Sequence, residues 1–502
     1  MRAIENSFWL QPSLAIFVSF LAITYFSSPT LFFPTGIMGD LAADMLHGEA
    51  LNRGEWLTTG HYSRFKFNHP GPFFFYWNLP FELALEPYVG RLKAWLWGSV
   101  VLNSMLVGAS ATALTRYFVP GGALGLSGAI ALLMSTLMGA DLGVVWLPTR
   151  IEAPFLAFLI ALLWLAVRDL RALAPTVALL GILVHGYITM VLLALPLVFV
   201  ALALARSATM PWPSRLEVQR AVLSAAFVGS VFLLPLLVEL FKLPDGNFGA
   251  IIAALGAAQQ GGSAGWGDLR HAINGILAPQ ASALLLFSLA ILFASYSITQ
   301  LKAGGVRLSV IPVLGVSTFA TTLLAYLGTP TPVPLHIMLH FRPLASLVAA
   351  TVIIICFLGL SARKRGRRTA VALGLSLGFV AMLSLPDFTP TRVFSGDAPR
   401  NYPPQPWIDQ AAAHLAETGG AITISFVDNA MWEEVAGMLV WLIDRDIRAC
   451  TTRLDMAFLF TESGVCEDGT VPRFEVVSES ACNGLCSFSQ SGLAIIRTHA
   501  PF

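Results

Sequence analysis

The sequence predicts an α-helical polytopic membrane protein of about eleven transmembrane helices, ending in a small extracytoplasmic α/β domain. Composition leads to the first half of that reading: 56% of residues are hydrophobic and 12% charged, with a mean hydropathy of +0.71. A soluble domain carries roughly a quarter charged residues. Apolar stretches recur along the chain, centred near Phe20, Val101, Ile130, Phe158, Leu180, Leu197, Phe232, Phe287, Val316, Val352 and Val380. The fifth and sixth share only Arg171 to Arg206, which predicts a tight hairpin or a partly re-entrant turn.

Basic residues set the orientation. With the N-terminus inside, alternate loops carry Arg168 and Arg171, then Arg206, Arg215 and Arg220, then Lys302 and Arg307, and finally the run from Arg363 to Arg368. Between two apolar spans such a run reads as a cytoplasmic anchor, so no nucleic-acid partner is expected. An odd number of spans then places the chain after Leu385 outside. The first span has no Ala-x-Ala-like cleavage site and reads as retained.

The formal net charge of +1 hides a split. From Leu385 onward there are 15 acidic and 7 basic residues and no lysine, leaving 14 acidic and 23 basic residues before it. Residues 1–385 therefore read as the membrane domain, with a first outer loop over 28–91, residues 386–406 as a proline-rich linker, and 407–502 as the soluble domain. Four of the five cysteines, Cys450, Cys466, Cys482 and Cys486, fall in that soluble part. Outward-facing cysteines at this density predict two disulfides, Cys450–Cys466 with Cys482–Cys486 preferred among three pairings. A zinc site is the rival reading, because Cys482-x3-Cys486 is a tolerable ligand spacing. Cys356 lies in an apolar span and reads as a buried apolar residue.

Pattern divides the tail further. Helices are predicted over Ile408 to Glu417 and Met431 to Leu442, and strands over Ala421 to Val427, Phe474 to Val477 and Leu493 to Arg497. No catalytic constellation stands out among them. The chain also lacks a Gly-rich phosphate loop, a His-Glu-x-x-His pair and a nucleophile elbow. Nucleotide-driven and covalent mechanisms therefore have no support.

Chemistry concentrates in the first outer loop. If Asp40 to Leu51 is helical, Asp40, Asp44 and His47 share one face while Leu41, Met45 and Leu51 mark another. The expectation is a helix lying along the bilayer surface, presenting its carboxylates to a water-filled crevice. Pro70 and Pro72 are expected to stop helix formation and hold Phe73-Phe74-Phe75-Tyr76-Trp77 extended or turned at headgroup depth. The plainer reading makes Asp40 a helix cap and the aromatics an interfacial belt.

The order Gly39-Asp40, Ala43, Gly54-x-Trp56, then His69-Pro70-x-Pro72 and aromatics resembles the first loop of GT-C glycosyltransferases. The likeness is to the branch of protein O-mannosyltransferases and lipid A aminoarabinose transferases. Trp146-Leu147-Pro148, His185-Gly186-Tyr187 and Pro235-Leu236-Leu237-Val238-Glu239 add to it, with declining strength toward residue 360. The resemblance implies a GT-C-like membrane domain in a bacterial inner membrane and an inverting transfer from a polyprenyl-phosphate sugar. The acceptor, a glycan, lipid or protein, enters from outside, and Asp40 is the general base. A carboxylate in a partly dry crevice can have its pKa raised into a useful range for that task. The family's acidic pair is usually adjacent, whereas Leu41 follows Asp40, which leaves open whether Asp44 takes the second acidic role.

Other roles follow from the same likeness. The departing lipid phosphate needs cations: Arg342 first, beside His340 and His336, then Arg64, Lys66 and Arg150. His69, His185, Tyr187, Glu239 and Tyr76 are the substrate-binding candidates. Each has a plainer account, such as Arg342 snorkelling at a helix end or His185 hydrogen-bonding within the packing. No cofactor is expected, and a divalent cation held through water by Asp40 and Asp44 is the alternative. Partners are the lipid-linked donor, membrane lipids and the acceptor. Two rival functions use the same outward crevice: a flippase or transporter of lipid-linked saccharides, and a polymerase or ligase acting on a longer glycan.

Overall fold

The computed structural model describes residues 2–33, 36–63, 65–119, 123–207, 212–258, 306–327, 341–361, 406–467, 473–481, 486–491 and 493–498. The predicted spans near Phe287 and Val380, the basic run 363–368 and nearly all of the linker lie outside them. The chain divides into two units, one of residues 1–31, 96–238 and 255–397, the other of 32–95, 239–254 and 398–502.

In chain order the helices and strands are α1 (Arg2–Phe26), α2 (Ser28–Phe32), α3 (Gly39–Asn52), β1 (Tyr62–Ser63), β2 (Phe67–Asn68), α4 (Phe73–Val89), α5 (Arg91–Phe118) and α6 (Leu124–Met138). They continue as α7 (Leu147–Arg150), α8 (Glu152–Ala166), α9 (Leu173–Gly186), α10 (Met190–Ser207), α11 (Arg215–Phe241), α12 (Asn247–Ala258), α13 (Val306–Leu327) and α14 (Phe341–Ser361). The tail adds α15 (Pro406–Glu417), β3 (Ile422–Phe426), α16 (Trp432–Ile443), β4 (Ala449–Thr451), α17 (Ala457–Gly464), β5 (Phe474–Ser478), β6 (Cys486–Gln490) and β7 (Leu493–Arg497).

The first unit is a helical bundle. Nine of the predicted span centres fall on α1, α5, α6, α8, α9, α10, α11, α13 and α14. Among the described residues four stretches, Trp9–Phe26, Arg91–Phe118, Leu147–Ala166 and Arg215–Phe241, are long and apolar enough to cross a membrane. The first packs along α6, while α8 touches α9, α10, α13 and α14. Apolar on every side, α8 is buried on every side, as Phe155, Phe158, Leu162 and Leu163 show. By contrast α11 exposes Leu223, Phe227, Val231 and Leu234, the surface expected of a helix against lipid tails.

The fifth and sixth spans form the tight hairpin: only Tyr187 to Thr189 separate α9 from α10. With 14 residues α9 is about 21 Å long, short of the roughly 30 Å hydrocarbon core.

The second unit combines the first outer loop with the tail. Asp40 to Leu51 is helical as expected, and most of the helix is covered by protein. Leu41, Ala42, Ala43, Asp44, Met45, Leu46, His47 and Gly48 are all buried, because α16 and α17 pack against α3. The aromatic run is also corrected: Phe73 to Trp77 opens α4 rather than standing extended. Pro72 occupies the cap position, where a missing N–H costs nothing.

The tail carries a mixed sheet of order β4-β3-β5-β7-β6, in which β3 runs parallel to β4 and β5 while β7 is antiparallel to β5 and β6. Ile422, Ile424, Phe426, Val435, Met438, Leu439, Leu442, Phe474, Val476 and Ile495 form its core. The preferred pairing Cys450–Cys466 is present. Cys486 is disulfide-bonded as well, and Cys482 lies outside the described residues.

Close packing in the bundle yields a test. A Cβ on Gly108 of α5 would sit 2.5 Å from the Ile16 backbone of α1. Gly108→Leu should therefore force the helices apart and cost about 1–3 kcal/mol, seen as a lower thermal midpoint. An unchanged midpoint would contradict this packing.

Candidate functional site

Asp40 stands in the first turn of α3, right after Gly39, whose φ of +56° suits glycine. It is half-buried, and the Tyr62 hydroxyl donates a hydrogen bond to its Oδ1.

One turn further along, Asp44 is buried, with its Oδ1 2.6 Å from His61 Nδ1. The His47 ring donates to the Ala43 carbonyl at 2.9 Å and stacks on Phe75. His69 lies in the stem of the β1–β2 hairpin: its N–H donates to the His61 carbonyl at 2.7 Å, and its own carbonyl accepts from Gly60. Burial first, and then the neighbouring His61, lowers the His69 pKa from 6.5 to about 3. Burial also lowers that of His47. The first loop thus places an acid–histidine cluster directly beneath a more open Asp40.

Other predicted residues of this unit have local partners. Glu239 accepts from Thr58, from Lys242 Nζ at 2.6 Å and from the Asn247 N–H at 3.3 Å. Tyr76 is exposed and donates to the Leu57 carbonyl at 3.4 Å; partial burial raises its pKa. Lys66 is exposed in the hairpin turn with φ +63°. Arg64, His336 and His340 lie outside the described residues.

The first unit holds the rest. Arg342 is buried and committed to two carboxylates, bonding Asp141 and lying 3.6 Å from Glu152. Arg150 is buried at the end of α7. His185 Nε2 donates to the Phe232 carbonyl at 2.8 Å, three residues before Pro235 interrupts α11. Tyr187 caps α9 through its backbone. Beside the α8–α9 turn a cavity of about 770 Å3 is lined by Arg168, Asp169, Arg171, Glu217 and Arg220 among others. Its charges are largely spoken for: Arg171 pairs with Asp169, and Arg168 bonds two backbone carbonyls.

Reading the sequence misses Tyr62 and His61, which sit side by side before Arg64 without any motif. It also misses Arg91. That buried guanidinium meets Glu49 at 2.6 Å, Glu82 at 2.8 Å, Asp444 at 3.2 Å and Glu86 at 3.6 Å. Burial raises the pKa of Glu86 and of Asp444, and Arg91 opposes the rise. Among the described residues no group of three or more His, Cys, Asp or Glu has the arrangement of a metal site.

The fold defined by these elements is shared with a solved structure. A crystal structure of ArnT from Cupriavidus metallidurans bound to undecaprenyl phosphate superimposes with a TM-score of 0.54. The match spans 96% of each chain at 14% sequence identity. No protein-family model matches this sequence, and a comparison with curated proteins finds no match.

The histidine cluster carries a pH dependence. His69 is neutral when folded and takes up a proton when unfolded below pH 6.5. Its contribution is complete above that value and is lost as pH falls from 6.5 toward 3, by on the order of 1 kcal/mol per pH unit. The thermal midpoint should drop between about pH 7.5 and 5, and His69→Asn should reduce the slope. A flat profile in the unsubstituted protein would refute the buried neutral histidine.

Proposed function

We propose that this protein is an inverting glycosyltransferase that moves a sugar from a polyprenyl-phosphate carrier to an extracytoplasmic acceptor. The observation carrying it is a likeness to ArnT over nearly the whole of both chains, with the ArnT structure holding undecaprenyl phosphate. The half-buried Asp40, at the head of the first helix beyond α1 and α2, supports a base role. It is close enough to water to receive an acceptor, yet held by Tyr62.

In this reading the acceptor hydroxyl attacks the anomeric carbon from the face opposite the lipid phosphate. Its proton passes to Asp40 as the new C–O bond forms, while the old bond's electron pair leaves on the phosphate. Arg64, Lys66, Arg150, Arg342, His336 and His340 are the candidates to meet that charge. Arg342 has to loosen its hold on Asp141 and Glu152 to do so. His69, His185, Tyr187, Glu239 and Tyr76 remain the proposed substrate contacts, and Asp44 acts behind Asp40 in its pair with His61. The disulfide Cys450–Cys466 supports an oxidising, periplasmic setting for the tail and hence a bacterial inner-membrane location. No metal is assigned a role.

The test uses purified protein in lipid nanodiscs with a panel of undecaprenyl-phosphate-linked sugars, reading released undecaprenyl phosphate and sugar-bearing product. Asp40→Asn should lower turnover by about 10²–10⁴-fold with normal yield and thermal midpoint. Activity near that of the unsubstituted protein would sink the assignment of Asp40. An intact lipid–sugar linkage with net transbilayer movement would make the protein a flippase instead.

A further inference from the structure

Tyr62 belongs to a hairpin whose two strands have two residues each, Tyr62 facing Asn68 and Ser63 facing Phe67. So short a ladder does not hold its own geometry, and side chains from the tail supply the support. The Trp432 ring meets the Tyr62 ring edge-on at 5.6 Å between centroids, and Phe458 lies at 6.4 Å. Trp432 begins α16 and Phe458 sits on α17, inside the loop closed by Cys450–Cys466. The same α16 approaches the backbone just ahead of Asp40, where a Cβ on Gly437 would lie 2.5 Å from the Ile37 carbonyl oxygen. The tail thus touches both the hairpin that carries Tyr62 and the backbone just ahead of α3.

We infer that the C-terminal domain is part of the catalytic apparatus, with Trp432 and Phe458 seating the Tyr62 ring so that its hydroxyl positions the Asp40 carboxylate. The inference rests on Asp40 being the general base. Tyr62 acts through Asp40 and is a positioning residue. Its O–H donates to one carboxylate oxygen, Oδ1, and so fixes the rotation of the group that receives the acceptor's proton. The acceptor's proton then passes to the Asp40 carboxylate, and the phenol keeps its own. A domain that moved away would release the ring, and with it the orientation of the base.

Two readouts on the full chain in nanodiscs test this. The first is carbodiimide-driven coupling of glycine ethyl ester to Asp40, quantified by peptide mass spectrometry; it needs neither donor nor turnover. Tyr62→Phe should speed that labelling about threefold or more, because the hydrogen bond shielding the carboxylate is gone. Trp432→Ala combined with Phe458→Ala should speed it in the same direction. Should that pair lower the thermal midpoint, Trp432→Leu alone carries the same expectation at smaller size, and Trp432→Phe should return the labelling toward normal.

The second readout is turnover with the lipid-linked donor that the panel identifies. Tyr62→Phe should lower kcat about tenfold with KM for the donor within about twofold. The acid limb of its pH profile should move to higher pH. Labelling and acid limb both unchanged in Tyr62→Phe would overturn the positioning role. A response to Tyr62→Phe with none to the Trp432 and Phe458 variants would overturn the part given to the C-terminal domain. Full activity in Asp40→Asn would remove the base while leaving the labelling result to judge whether Tyr62 and the tail seat this carboxylate.

Discussion

Arg91 holds together stretches of chain that are far apart in sequence. Its guanidinium is buried at the start of α5 and meets Glu49 of α3, Glu82 and Glu86 of α4, and Asp444 just past α16. Glu82 in turn accepts from Asn52 and from the Trp95 indole. A buried charge is tolerable only when paired, and removing one partner from such a group costs about 3–5 kcal/mol. Five charged groups sharing one site therefore have little freedom to separate, and α3 inherits its position from them. Arginine suits this task because its five N–H donors lie in a fixed plane and reach several carboxylates at once.

The bundle obeys the same rule with fewer members. Arg342 bonds Asp141 and lies 3.6 Å from Glu152, so this charge among apolar helices is paired. Polar hydroxyls are handled differently: Thr112, Thr115, Thr176 and Thr351 each donate to the carbonyl one turn back and need no partner from another helix. The charged groups thus join separate segments, while these four hydroxyls are absorbed within their own helices.

What the sequence shows and what it hides separate along physical lines. Nine span centres, the α3 limits and the alternating elements of the tail are legible because each rests on local periodicity. So is the fold class, since a chain this apolar has few alternatives. Long-range pairing leaves no local trace. Nothing around Asp44 announces His61, and nothing around Glu49 announces Arg91 or Asp444. The polar stripe of α3 looks like a wet face because its partners lie elsewhere in the chain. Pro72 reads as a breaker, whereas a proline at a helix start is compatible with the helix it precedes. The strands β4 and β6 escape a reading of the sequence because one has three residues and the other reads Cys-Ser-Phe-Ser-Gln, with little apolar content. The helix α17 is short, and Thr461 within it has a φ of +64°, so its periodicity is broken.

The union of residues 32–95 with the tail in one unit has a consequence for biogenesis. The loop bearing Asp40 emerges early, whereas Trp432, Asp444 and Phe458 are made near the end of synthesis. At roughly 5–20 residues per second the early loop waits on the order of 20–70 s for these neighbours. During that interval it has no buried seat for α3. A nascent chain therefore completes this unit only when translation is nearly finished, and a truncated chain never acquires the missing wall.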